Sequence, residues 1–182
     1  MLQSNVRQTG LARLALSVIC MGAISGCAGL NPTNMVPDID TQWSLQTGKS
    51  IRTVAVRGER ESVWGGALYA QKEQIHAVVV ETLTASGFFS SVGTGAGDLN
   101  LEVVVRSQDQ DVGSFLQYTG RMTVTYRFTD INGEAVWSAT LESSGSSRAF
   151  SGATRTTEAR ERTVKANLTA LLNELNKSWK KQ

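Results

Sequence analysis

Met122-Thr-Val-Thr-Tyr-Arg-Phe-Thr129, followed by Asp130-Ile-Asn-Gly-Glu134 and Ala135-Val-Trp-Ser-Ala-Thr-Leu141, is the stretch that decides the fold. Met122, Val124, Tyr126 and Phe128 alternate with Thr123, Thr125, Arg127 and Thr129, the two-residue period of a strand with one buried face. Asn132-Gly133 carries the signal of a type I′ hairpin turn, because both residues tolerate positive φ. Ala135 to Leu141 then supplies the returning strand. A hairpin with one apolar face must be covered, so the rest of the chain has to provide a further layer.

Working outward, Leu99, Leu101, Val103 and Val105 alternate with Asn100, Glu102, Val104 and Arg106, which predicts a strand before the hairpin. Ile51 to Val56, ending at Gly58, is β-branched and reads as the first strand. Between them, from Ala67 to Ser86, Leu68, Ile75, Val78, Val79, Thr82 and Leu83 recur at helical spacing, and Gly87 stands where a left-handed cap is wanted. Phe88-Phe89 should pack that helix end onto the sheet, and Gly93-Thr-Gly-Ala-Gly97 is a connector. Ser143 to Thr157 reads as a loop, with Thr156 or Thr157 capping a final helix beside Glu158 or Glu161. On that helix Val164, Leu168, Leu171, Leu172, Leu175 and Trp179 form one stripe, and Lys177, Lys180 and Lys181 oppose the negative pole of its dipole. The expected fold is α+β: an antiparallel four-stranded sheet packed by two helices, in the order β-α-β-β-β-α, forming one domain over residues 49–182.

A chain of 182 residues with 41% hydrophobic and 19% charged residues can bury such a core unaided. Its formal charge of +2 comes from Arg7 and Arg13, because residues 1–26 hold no acid and the remainder holds 16 basic and 16 acidic residues. Neutrality argues against nucleic acid, whose binding needs clustered Lys and Arg to displace counterions.

Residues 1–26 read as an export signal: two arginines, then the apolar run Leu14 to Ile24, which at 11 residues is too short for the roughly 20 that a membrane helix needs. The run ends Ile24-Ser-Gly-Cys27, an aliphatic residue, two small residues and a cysteine, which resembles the lipobox of bacterial lipoproteins. The resemblance implies that Cys20 is removed with the signal. It also implies that Cys27 becomes the first residue and carries diacylglycerol and an amide-linked fatty acyl chain. More than one chain holds a protein firmly at a bilayer. Ala28-Gly29 after the cysteine, in place of an aspartate, resembles the pattern of outer-membrane sorting, with the domain facing the periplasm. Residues 27–48, with Asn31-Pro-Thr-Asn34 and Val36-Pro-Asp38, read as a polar tether; the alternative is an ordered arm, since Trp43 and Leu45 offer docking groups.

Reactive chemistry is sparse. Gly48-Lys-Ser50 lacks the glycine a phosphate loop needs five positions earlier, where Trp43 stands. His76 is the single histidine, which leaves no zinc set and no base for a Ser-His pair, so no metal or cofactor is expected. Asp109-Gln-Asp111 before Gly113 falls short of a calcium loop, because Gly120 occupies the position of the closing glutamate. Catalysis is not expected; an enzyme would have to use Glu102, Asp109 or Asp111. Two surfaces stand out for binding a partner. One is Val112 to Tyr118, with Phe115, Leu116 and Tyr118 among turn formers, unless the strands extend through it as a ribbon. The other is Trp64 beside Gly65-Gly66, which would let a partner approach the backbone.

The lipobox, a helix ending in a Gly-aromatic turn, a ribbon and a final amphipathic helix together resemble the lipopolysaccharide-assembly lipoprotein family and the YajG-type lipoproteins. Ala28-Gly-Leu30 replaces the aromatic and histidine that usually follow the cysteine in the assembly family. The resemblance implies a non-enzymatic accessory or binding subunit of envelope assembly or transport, working with another envelope protein. The alternative is a carrier of lipid or glycolipid.

Overall fold

The strand from Gln117 to Asp130 lies at the centre of a mixed four-stranded sheet, in a computed structural model that describes residues 30–39, 46–58, 70–114 and 117–179. In chain order the elements are α1 (Pro32–Met35), β1 (Ile51–Gly58), α2 (Lys72–Ser86), β2 (Leu99–Ser114), β3 (Gln117–Asp130), β4 (Ala135–Ser147) and α3 (Gly152–Trp179). The strands lie in sequence order, β1-β2-β3-β4. The last three pair antiparallel, whereas β1 runs parallel to β2, so the purely antiparallel sheet expected from sequence is corrected to a mixed one. The reason is the crossover: α2 carries the chain back along the sheet between two adjacent strands, which then point the same way.

Both long helices cover one face. Leu99, Leu101, Val103 and Val105 of β2 and Met122, Val124, Tyr126 and Phe128 of β3 are buried against Ile75, Val78, Val79 and Leu83 of α2. Val164, Leu168, Leu171, Leu172 and Leu175 of α3 complete that core. Each such side chain contributes roughly 1.5–3 kcal/mol by leaving water, which makes this layer the main source of stability. At the far end Phe89, Phe128 and Trp179 pack with ring centroids 5.3–5.7 Å apart, Trp137 lying on Phe128 at 5.6 Å. Gly87 takes φ 66° and ends α2 as its position predicts.

The opposite face is polar and uncovered among the described residues. Thr125 is hydrogen-bonded to Thr140 at 2.9 Å, Arg106 donates to Thr125 at 3.1 Å, and Arg57 pairs with Glu102 at 3.4 Å.

Three local expectations change. The hairpin turn is centred on Ile131-Asn132, because Gly133 N–H donates to Asp130 O at 3.1 Å and Asp130 N–H to Glu134 O at 2.9 Å. It is therefore a three-residue loop with left-handed Gly133 (φ 87°), not a type I′ turn on Asn132-Gly133. Asp130 accepts from the backbone of Asn132 and Glu134, both at 2.9 Å, which fixes the chain at the turn. Next, the Ser/Gly-rich stretch from Ser143 is strand as far as Ser147, and α3 starts at Gly152 instead of after Thr157. Composition suggested a loop, but β3 supplies an extended partner for every one of those residues. Last, α2 starts at Lys72, directly after its N-cap Gln71, whose N–H donates to Gln74 Oε1 at 3.1 Å, and the expected start at Ala67 lies outside the described residues.

Candidate functional site

The inward face of β4 carries Trp137, Ala139, Leu141, Ser143 and Gly145, and at Gly145, which has no side chain, the backbone of α3 comes into contact range. Gly145 pairs across to Gly120 of β3. A Cβ on Gly145 would lie closest to Thr163 N, 2.7 Å from Arg162 C and 2.8 Å from Ala159 O; one on Gly120 would lie 2.6 Å from Thr163 Oγ1. The two glycines form a notch in which the backbone of α3 rests directly on the strands. Above it, Tyr126 Oη donates to Asn167 Oδ1 at 2.8 Å, and Asn167 Nδ2 donates to Leu141 O and Ser143 Oγ at 3.1 Å each. The buried phenol is thereby satisfied, and burial pushes its pKa above the ordinary tyrosine value.

This seating presents Glu161 to the N-terminal arm. Glu161 is 5% exposed, yet its carboxylate is fully engaged: Oε1 accepts from Asn31 N–H at 2.7 Å and Oε2 from Asn34 Nδ2 at 2.8 Å. Asn31 also caps the short turn α1 by accepting from Thr33 N–H at 3.1 Å. Leu30 and Met35 enter the core, Gln74 donates to Leu30 O at 3.3 Å, and Asp38 pairs with Lys165 at 2.8 Å. Residues 30–39 are thus the ordered arm and not a free tether. An open polar cleft of about 440 Å3 between arm and helix is lined by Thr33, Asn34, Asp38, Glu158, Glu161 and Lys165, among others.

Of the residues singled out for binding, Cys27, Trp64, Phe115 and Leu116 lie outside the described residues. Tyr118 is placed, half-buried, on a ribbon: β2 and β3 pair as far as Ser114 and Gln117, which is the extended-strand alternative. Its hydroxyl donates to Gln110 Oε1, which also accepts from Arg160 at 2.9 Å, so Tyr118 is tied into the base of the ribbon. Arg148 reaches Gln117 at 3.2 Å, and Ser147 donates to Glu158 at 2.7 Å in the same collar.

The three carboxylates considered for catalysis do not converge as a group: Asp109 and Asp111 lie beside Arg121 on the ribbon, and Glu102 lies apart from them. Glu102 pairs with Arg57, Asp111 pairs with Arg121 at 3.9 Å, and Asp109 is exposed on the ribbon. His76 is exposed on α2, beside a shallow depression that it lines with Val56, Lys72 and Glu73. Among the described residues no group of three or more His, Cys, Asp or Glu side chains converges on one point, and no helix is long and apolar enough to cross a membrane. Outside this region, Asp98 is held below the ordinary carboxylate range by the Ser50 backbone N–H and then by the Ser50 hydroxyl.

The chain matches no protein-family model and no curated protein. Solved structures do resemble it. Protein XCC0632 of Xanthomonas campestris, assigned to family DUF330, has a TM-score of 0.61 at 16% identity, covering 81% of this chain and 93% of that one. The hypothetical protein CT253 of Chlamydia trachomatis has a TM-score of 0.51 at 9% identity, over 71% and 96% of the two chains. A minor lipoprotein of Acinetobacter baumannii follows at 0.43 and 13%, over 70% and 92%. The first two establish a shared fold with this chain.

Proposed function

We propose that this chain is a bacterial envelope lipoprotein anchored through Cys27, and that it works without catalysis as a binding or accessory subunit in envelope assembly or transport. One observation carries the reading: Leu30, three residues after the cysteine of Ile24-Ser-Gly-Cys27, is already buried in the core. Signal, acylation point and folded domain therefore follow one another in the order that acylation at the first residue of a mature lipoprotein requires. Anchoring confines the domain to the membrane surface and raises its effective concentration for a membrane-bound partner. Outer-membrane placement facing the periplasm rests on Ala28-Gly29 after the cysteine. The binding face belongs to the ribbon end, where Tyr118 and its collar hold the strands in place, with Phe115, Leu116 and Trp64 as further contact residues.

Two measurements test this. Intact mass and fractionation of the expressed protein should show an acylated chain in the outer-membrane fraction, and Cys27→Ser should move it to the soluble periplasm. An unmodified, soluble wild-type chain would refute the anchor. Photocrosslinking in cells from positions 115 and 64 should capture one specific envelope protein. Lipid bound by the soluble Cys27→Ser chain, with no protein captured by the anchored one, would move the reading to a lipid carrier.

A further inference from the structure

We propose that the domain stands on the bilayer in one fixed orientation, with the end that carries the β2–β3 ribbon and the β4–α3 corner against the phospholipid surface and the Asp130–Glu134 turn pointing away. This rests on acylation of Cys27. The arm gives the direction. Asn31 bonds Glu161 and Asp38 bonds Lys165, so the arm runs along α3 from its N-terminal side toward its C-terminal side. Three residues reach at most about 11 Å, and Glu161 lies roughly 14 Å along the helix axis from Gly152. Acyl chains on Cys27 are therefore leashed within about 11 Å of Leu30, which lies beside Glu161 in the N-terminal third of α3, so the bilayer that holds them stays within reach of that part of the domain and away from the C-terminal end of α3.

The end of the domain near the start of α3 carries apolar side chains that are exposed among the described residues. Val112, at the ribbon end of β2, is 70% exposed, and Phe150, in the corner between β4 and α3, is 104% exposed. Pairing of Tyr118 with Ser147, and of Asp111 with Thr119, places both at one end of the sheet. Two apolar groups level with a short lipid leash suit insertion into the headgroup boundary, where an apolar surface enters by about 5–10 Å. The third large exposed apolar residue, Ile131 at 65%, lies in the turn at the opposite end and serves as the internal reference.

The test uses the full lipidated chain in vesicles of phosphatidylethanolamine and phosphatidylglycerol that contain a doxyl-labelled phospholipid. Mature wild type has Cys27 acylated, so Val112→Cys, Phe150→Cys and Ile131→Cys each accept one fluorophore at an exposed position where folding is not at stake. Intact mass is read first; a chain without the acyl mass overturns both the anchor and the orientation. With the acyl chains present, quenching at 112 and 150 should exceed that at 131 by at least about threefold, as expected for groups at headgroup depth against one a domain length away. Equal quenching at the three positions, or greater quenching at 131, overturns the orientation and leaves the anchor standing. Absent quenching at 112 and 150 together with crosslinks between copies at those positions overturns it in favour of self-association through this end.

Discussion

Gly145→Ala tests how α3 is seated. The added methyl meets backbone and not the end of a flexible side chain: Thr163 N is nearest, then Arg162 C at 2.7 Å and Ala159 O at 2.8 Å. Restoring ordinary contact to Arg162 C at 3.4 Å requires the helix to rise by roughly 0.7 Å, and a gap of that size forfeits a quarter to a half of each dispersion contact it opens. The contacts at risk are those that Val164, Leu168 and Leu171 make in the core they share with Val124 and Tyr126. Overpacking of this kind costs about 1–3 kcal/mol, and with two backbone partners the upper figure is expected. With a urea m-value of about 2 kcal/mol/M, a loss of about 3 kcal/mol lowers the unfolding midpoint by roughly 1.5 M. Gly152→Ala, whose methyl would meet only Arg155 Nη2 at 3.9 Å, is the control and should leave the midpoint unchanged or slightly raised. The partner position separates backbone from side-chain conflict. Gly120→Ala collides with Thr163 Oγ1, so adding Thr163→Ala should recover most of its cost, whereas the same addition should not rescue Gly145→Ala. A Gly145→Ala midpoint equal to wild type would refute the notch.

Glu161→Ala removes the acceptor for both Asn31 and Asn34; bonds to a charged acceptor are worth about 1.5–3 kcal/mol each, so amide exchange across residues 30–39 should accelerate at least tenfold while the sheet stays protected. Burial raises the pKa of Tyr126, so the phenol favours the folded state while neutral. That contribution is complete below the ordinary tyrosine value and is lost progressively as pH rises from there toward the raised folded value, and Tyr126→Phe should flatten the alkaline fall in stability. Asn167→Leu, which strands the buried hydroxyl, should cost about 1–3 kcal/mol in urea unfolding. Asp130 is held below the ordinary carboxylate range, first by the Glu134 backbone N–H. Its contribution is therefore present above that range and disappears as pH falls through the folded value. A carboxyl titration by NMR should place it below the ordinary aspartate value, and Asp130→Ala should increase amide exchange in the Asp130–Glu134 turn.

Much of this was legible because it is local. Alternation over Leu99–Val105 and Met122–Phe128 identified the buried faces residue by residue, the Leu168–Leu175 stripe identified the covering side of α3, and Gly87 marked the end of α2, since period and cap depend on neighbours a few positions away. The resemblance of Ile24-Ser-Gly-Cys27 to a lipobox likewise rests on a short covalent pattern, readable with no fold in hand. What tertiary structure decided lies between distant positions. The arm is ordered because Asn31 meets Glu161 130 residues later, a pairing that neither local sequence announces. The Ser/Gly run of β4 is strand because β3 hydrogen-bonds it, and its glycine serves the close approach of a helix backbone. The parallel pairing of β1 with β2 follows from where α2 returns the chain. Local sequence sets which face of each element is apolar, but which faces meet is fixed by burial summed over the whole core, and that sum exists only when the chain is folded.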